Sequence, residues 1–109
     1  EVTEQGVAVA RMRWADRAAP ASKVWKWHDG RWEEPGLGGR VTPIFPAAID
    51  WVRPDADAFW GPSIHRNTHL GLYVTLLNRT KDKPGWPQEG VYVTFNADLS
   101  DPTRWTKPV

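Results

Sequence analysis

The chain has 109 residues, with 14 Lys and Arg against 13 Asp and Glu and a net charge of +1. That length holds one domain. The even charge excludes a protein that grips nucleic acid or an anionic membrane through a dominant basic field. With no Cys, disulfides, thiolate metal sites and a cysteine nucleophile are excluded too. A Cys-free chain is at home in the cytosol or outside the cell, extracellular and periplasmic settings included, and no compartment is assigned. The longest apolar stretch, Leu70 to Leu77, is too short to span a bilayer as a helix. No charged-then-apolar leader precedes it, and a start at Glu1 rather than Met leads to the expectation that the true N-terminus has been removed. Ten Pro rule out a mostly helical chain, since each interior Pro costs a helix roughly 3 kcal/mol. Eight Trp call for a structural or binding role.

In chain order, Val7 to Met12 reads as a strand of small and β-branched residues. Trp14 to Ser22 is the one weak helix candidate, broken by Pro20. Val24 to His28 alternates Trp25 and Trp27 against Lys26, then meets Asp29-Gly30, a dipeptide suited to a two-residue type I′ turn. That hairpin sets Trp27 opposite Trp32 as a cross-strand pair. Pro and Gly dominate Glu34 to Gly39. Ser63 to Asn67 is a short polar strand with Ser63, His65 and Asn67 on one face. Leu72 to Asn78 is the strongest strand and, apolar on both faces, a central one. After the Pro/Gly-rich loop Lys81 to Gly90, Val91 to Asn96 puts Val91, Val93 and Phe95 on one face. A last short strand is expected near Arg104.

An internal echo organises these elements. Gln5-Gly6-Val7-Ala8-Val9-Ala10 returns in form as Glu89-Gly90-Val91-Tyr92-Val93-Thr94. Arg31-Trp32-Glu33-Glu34-Pro35 returns as Arg104-Trp105-Thr106-Lys107-Pro108. Between the echoes there is room for two strands. The reading is all-β, with antiparallel four-stranded blades repeated as in a β-propeller. About one and a half blades are present: residues 1–36 as the outer half of one and residues 50–109 as a full one.

Phe59-Trp60-Gly61-Pro62-Ser63-Ile64-His65, followed by Leu72-Tyr73-Val74-Thr75-Leu76-Leu77, resembles the blade opening of five-bladed β-propeller glycoside hydrolases. These are of the arabinanase, β-xylosidase and arabinofuranosidase type. Gly90 to Phe95, Asp98-Leu99 and Trp105 are similar to the third strand, turn and closing Trp of the same blade. Trp25 to Trp32 is similar to the tail of the blade before it. The resemblance implies a hydrolase-like propeller acting on carbohydrate, inactive as this piece alone because such enzymes take their carboxylates from several blades. One position departs: where the family carries an Asp that tunes the catalytic acid, this chain has Ser63.

Glycoside hydrolysis needs two carboxylates about 5–9.5 Å apart. Asp57 and Glu89, each just ahead of a strand, are the candidates. His65, Asn67 and Ser63 are candidate partners for sugar hydroxyls, and Trp60 and Trp86 candidate stacking surfaces. Trp25, Trp27, Trp32 and Trp105, in repeated strand positions, are expected to fill the space between sheets. Asp98 and Asp101 read as turn residues. His65 and His69 would stand about 13 Å apart in a strand, so no metal is expected, and no cofactor. Nothing like a nucleophile elbow surrounds Ser63. The partner expected is a carbohydrate, with self-association or further blades covering the exposed sheet face. A non-catalytic carbohydrate-binding or interaction module, and a purely structural β domain, are the competing readings.

Overall fold

A computed structural model describes residues 4–81 and 85–109. Every regular element is a strand or a short 3-10 turn. The strands are β1 (Gly6–Val7), β2 (Ala10–Arg11), β3 (Trp25–His28), β4 (Arg31–Pro35), β5 (Phe45–Pro46), β6 (Ala58–Asn67), β7 (Leu72–Thr80) and β8 (Gly90–Asn96). They form three antiparallel sheets, β1-β5, β2-β3-β4 and β6-β7-β8. The chain is all-β, as its composition and strand patterns imply.

The expected first strand is split in two. Gly6 sits at φ 138°, and a Cβ there would collide with the Phe45 carbonyl and come 2.8 Å from the Pro46 Cα. This close backbone approach lets β1 pair with Phe45–Pro46, after which the chain moves to a second sheet and β2 pairs with β3. The helix candidate is instead two 3-10 turns, Trp14–Asp16 and Pro20–Ser22. Pro20 ends any continuous helix and opens the second turn, where its missing N–H costs nothing.

The Asp29-Gly30 hairpin forms as its dipeptide dictates. His28 pairs with Arg31, and Asp29 and Gly30 both take positive φ, 49° and 79°, which is the type I′ signature. Trp27 faces Trp32 with ring centroids 5.3 Å apart, edge to face. A register shift between Lys26 and Trp27 turns Lys26 inward. It is 7% exposed, and its Nζ donates to the carbonyls of Pro35 and Gly36 at 3.2 and 2.6 Å.

The last sheet is the largest. β6 starts earlier than its polar half suggests, at Ala58, and carries a bulge between Trp60 and Ser63. Gly61 supplies that bulge with φ 59°, and Pro62 is tolerated there because an edge strand can spare an N–H. β7 is central, between β6 and β8. The strand expected near Arg104 is replaced at its start by a 3-10 turn, Pro102–Arg104, capped by the Asp101 side chain accepting from the Thr103 amide. The chain then runs along β8, with Val93 and Val109 exchanging backbone hydrogen bonds of 2.8 and 3.1 Å and Thr106 donating to Phe95 at 2.9 Å.

Register sorts this sheet into two faces. One carries Phe59, Ile64, Thr75, Leu77, Arg79, Tyr92 and Thr94 and looks toward β1 and β5. The other carries Trp60, Ser63, His65, Val74, Leu76, Val91, Val93 and Phe95. Among the described residues the buried apolar ones are few: Phe45, Ala47, Ala56, Ala58, Val74 and Leu77. On the second face, Leu76 and Val91 are 42% and 59% exposed. The accessible surface is 7079 Å², against about 6,100 Å² for a folded monomer of this size. The radius of gyration is 14.8 Å, against about 13 Å. The chain leaves unusually much surface open.

Candidate functional site

Asp57 and Glu89 are brought into one network at the end of the sheet where β6 starts and β7 finishes. Asp57 is fixed through its backbone, whose carbonyl accepts from Ala48 at 2.8 Å and from Ile49 at 3.3 Å. Its side chain points to the face that carries Arg79, and the two meet fork to fork. Nε and one terminal nitrogen of Arg79 donate to the two Asp57 carboxylate oxygens, each at 2.9 Å. The third guanidinium nitrogen lies 3.4 Å from the Tyr92 hydroxyl, which in turn donates to Glu89 at 2.9 Å. The Arg79 guanidinium lies against the Phe59–Tyr92 ring pair, 5.6 Å from each centroid. Phe59 also meets Tyr92 and Phe45 edge to face. Bonding to the Asp57 carboxylate, with the Tyr92 hydroxyl adding to it, raises the Arg79 pKa above the ordinary guanidinium range. The group is a permanent cation.

Both Asp57 oxygens are committed to a bidentate, charge-assisted pair, and its side chain is only 12% exposed. A general base or nucleophile needs a lone pair directed at substrate. Glu89, by contrast, is exposed, and its carboxylate is bonded by Tyr92 alone among the described residues.

The other candidate residues lie elsewhere. Trp60, Ser63, His65 and Asn67 share the opposite face of the sheet, so the hydroxyl-binding candidates and the carboxylates have the sheet between them. Asn67 also stands at the far end of β6, about 30 Å along a ten-residue strand from Ala58. Its Oδ1 accepts from the Leu70 amide at 2.9 Å and closes the β6–β7 turn. Ser63 and His65 are exposed. Trp60 is half-buried, with its Nε1 shut from solvent and unpartnered.

Trp86 takes φ 54° and packs edge to face on Trp51, centroids 6.1 Å apart. Trp51 is 39% exposed, and its amide donates to Gln5 Oε1 at 2.8 Å. The pair forms an aromatic corner between the loop that carries Asp50 and the loop that leads to Glu89. Of the strand Trp residues, Trp27, Trp32 and Trp105 are partly covered, whereas Trp25 is 42% exposed. Trp25 therefore lines a surface instead of filling the space between sheets.

Sequence reasoning passed over Arg79, Tyr92 and Trp51. Arg79 carried a signal: the first cation past an apolar run, at a position alternating with Leu77 and Thr75. Its partner, 22 residues earlier, has none. Among the described residues no group of three or more His, Asp or Glu is placed to hold a metal ion. No protein-family model, curated protein or solved structure matches this chain.

Proposed function

We propose that this chain is a non-catalytic carbohydrate-binding β unit, built as blades of a propeller-like protein of the hydrolase-resembling kind. The observation that carries the reading is the Asp57–Arg79 clamp. It commits one of the two candidate carboxylates to structure and leaves Glu89 as the one exposed acid of the network. A single acid with an aromatic corner suits recognition better than hydrolysis, which needs a pair. Trp86 and Trp51 then offer the apolar surface on which a sugar ring stacks, and Glu89 accepts from its hydroxyls. The meander β6-β7-β8, extended by the segment 106–109, supports residues 50–109 as one blade. The hairpin β3-β4 supports residues 1–36 as the outer part of another.

The same reading accounts for the bare face of the sheet. Leu76 and Val91 stand open beside Val93 and Phe95, as they would in a blade whose neighbour is elsewhere or is a second copy. Self-association is the expected result for this chain alone, burying on the order of 1,000 Å² or more per pair. Sedimentation at high micromolar concentration reads it; a monodisperse monomer there would overturn the blade-neighbour part of the proposal.

Function is tested by calorimetry with neutral arabino- and xylo-oligosaccharides, alongside release of nitrophenol from aryl glycosides. Saturable binding that Trp86→Ala removes, with no turnover above background, is the expected pair of results. Turnover by the isolated chain would return the two-carboxylate enzyme. Absence of binding to every neutral oligosaccharide would remove the carbohydrate reading of the Trp51–Trp86 corner.

A further inference from the structure

A cleft of about 670 Å³ opens in the N-terminal half, walled by Arg11, Arg13, Asp16, Lys23, Trp25 and Trp32. Its size falls in the range of small-molecule sites, and it shares no residue with the Asp57–Glu89 network. The walls follow from the local fold. Arg11 on β2 lies directly across from Trp25 on β3, so the two side chains share a face. The two 3-10 turns then fold Asp16 and Lys23 around the rim.

Three features of this cleft point to a ligand. The first is charge: Arg11, Arg13 and Lys23 face a single acid, Asp16. Among the described residues, none of the three cations has a hydrogen-bond or ion-pair partner for its side chain, Arg11 having only its ring contact. The second is preorganisation. The Arg11 guanidinium lies 4.5 Å over the Trp32 ring, and Trp32 is itself anchored by its Nε1 donating to the Ser100 carbonyl at 3.0 Å. Stacking fixes the guanidinium plane while leaving its in-plane N–H donors unused. The third is Trp25, whose ring is 42% exposed at the cleft wall and carries no stacked cation.

We infer that this cleft binds an acidic saccharide, a uronate- or sulfate-bearing ring that lies on Trp25 while its anion takes the donors of Arg11, Arg13 and Lys23. The anionic part stands on charge and geometry. The choice of a sugar rests on the carbohydrate reading above, and the experiment separates the two.

The probes are trigalacturonic acid and a heparin-derived tetrasaccharide, each titrated into the full chain and followed by Trp fluorescence and calorimetry. Neutral xylotetraose and adenosine monophosphate are the comparison ligands. The acidic saccharides should bind at least tenfold tighter than xylotetraose in 50 mM salt, and several-fold more weakly in 300 mM, as screening of exposed charges requires. Arg13→Glu with Lys23→Glu should weaken them at least tenfold, and Trp25→Ala should do the same with the charges intact. Trp86→Ala should weaken xylotetraose more than it weakens either acidic saccharide. A cooperative melting transition and an unaltered circular dichroism spectrum confirm that each variant is folded. If the acidic and neutral sugars bind equally and only Trp86→Ala weakens both, the cleft inference is overturned and the carbohydrate reading stands. If adenosine monophosphate binds tighter than either acidic saccharide, the anion site stands and the sugar is overturned. No binding by any of the four at millimolar concentration overturns both.

Discussion

The two halves of this molecule reach order by different routes. In the sheet of β6, β7 and β8, strands of ten, nine and seven residues run in register for most of their length. Before them, no strand exceeds five residues, and the chain depends on local devices. These are a type I′ turn, the Trp27–Trp32 contact, a lysine folded onto two carbonyls and a glycine that lets two backbones touch. Long strands bury backbone polar groups cooperatively but leave one sheet face bare. Short strands and 3-10 turns leave a concave surface between them. The lesson is one of placement: the extended sheet supplies the clamp and an open apolar face, and the irregular half supplies the cleft.

The sharpest way to break this comparison is at the clamp. Arg79→Ala should cost about 3–5 kcal/mol, because the Asp57 carboxylate would be left charged and enclosed without its partner. The matching change on the irregular half, Arg40→Ala at its exposed pair with Glu4, should cost far less, because water screens an exposed ion pair. Urea denaturation compares them, and equal losses would mean that Asp57 relaxes into water when released.

Packing gives the next contrast. Leu77 is 1% exposed at the centre of the sheet, and Leu77→Ala should cost roughly 3 kcal/mol. Trp25→Ala removes a far larger side chain from the cleft wall and should cost about 1 kcal/mol or less, since that ring is already open to water. A Trp25→Ala loss as large as that of Leu77→Ala would make the ring a core residue and close the cleft.

The turn residues sharpen the comparison from the other side. Gly30→Val should cost about 1–2 kcal/mol. Nothing lies within 4 Å of the position its Cβ would take, so the whole effect is the resistance of a β-branched residue to φ 79°. Gly30→Asn, which tolerates positive φ, should recover most of it.

What was legible in the sequence follows the same division. The hairpin at Asp29-Gly30 was readable because its determinants are adjacent, and β7 because an uninterrupted apolar run needs a central place. The start of β6 was hidden by Gly61 and Pro62, which read as a break and serve as a bulge. The pairing of β1 with β5 was unreadable, since Phe45 and Pro46 carry no alternation and meet Gly6 only in three dimensions. The site was legible in its residue types and not in its sidedness. Asp57 and Glu89 do share a network, but it is Arg79 and Tyr92 that connect them, and the bulge at Trp60 to Ser63 keeps the polar face of β6 turned away. Nor did periodicity foresee that Thr80, Thr94 and Asn96 would be among the most enclosed side chains. Thr94 and Asn96 are there because their polar atoms bond the carbonyls of Thr106 and Asp101.

The smallest effect expected is electrostatic, in the turn that joins β8 to the last segment. Asp98 Oδ1 accepts from the Ser100 hydroxyl at 2.7 Å and the Ser100 amide at 2.9 Å. These bonds hold the Asp98 carboxyl below its ordinary pKa, with the Arg104 charge adding to them. A depressed folded pKa means that ionised Asp98 favours the native state above the unfolded value of about 3.9. That contribution disappears as pH falls through the lower, folded value. Asp98→Asn keeps an oxygen for the Ser100 amide and removes only the charge. Wild type should therefore melt slightly above the variant at pH 7, and the gap should close as pH drops below about 4. Melting curves at matched ionic strength measure the gap directly, and one that stays constant from pH 7 to pH 3 would show that the turn is held by the acceptor geometry alone.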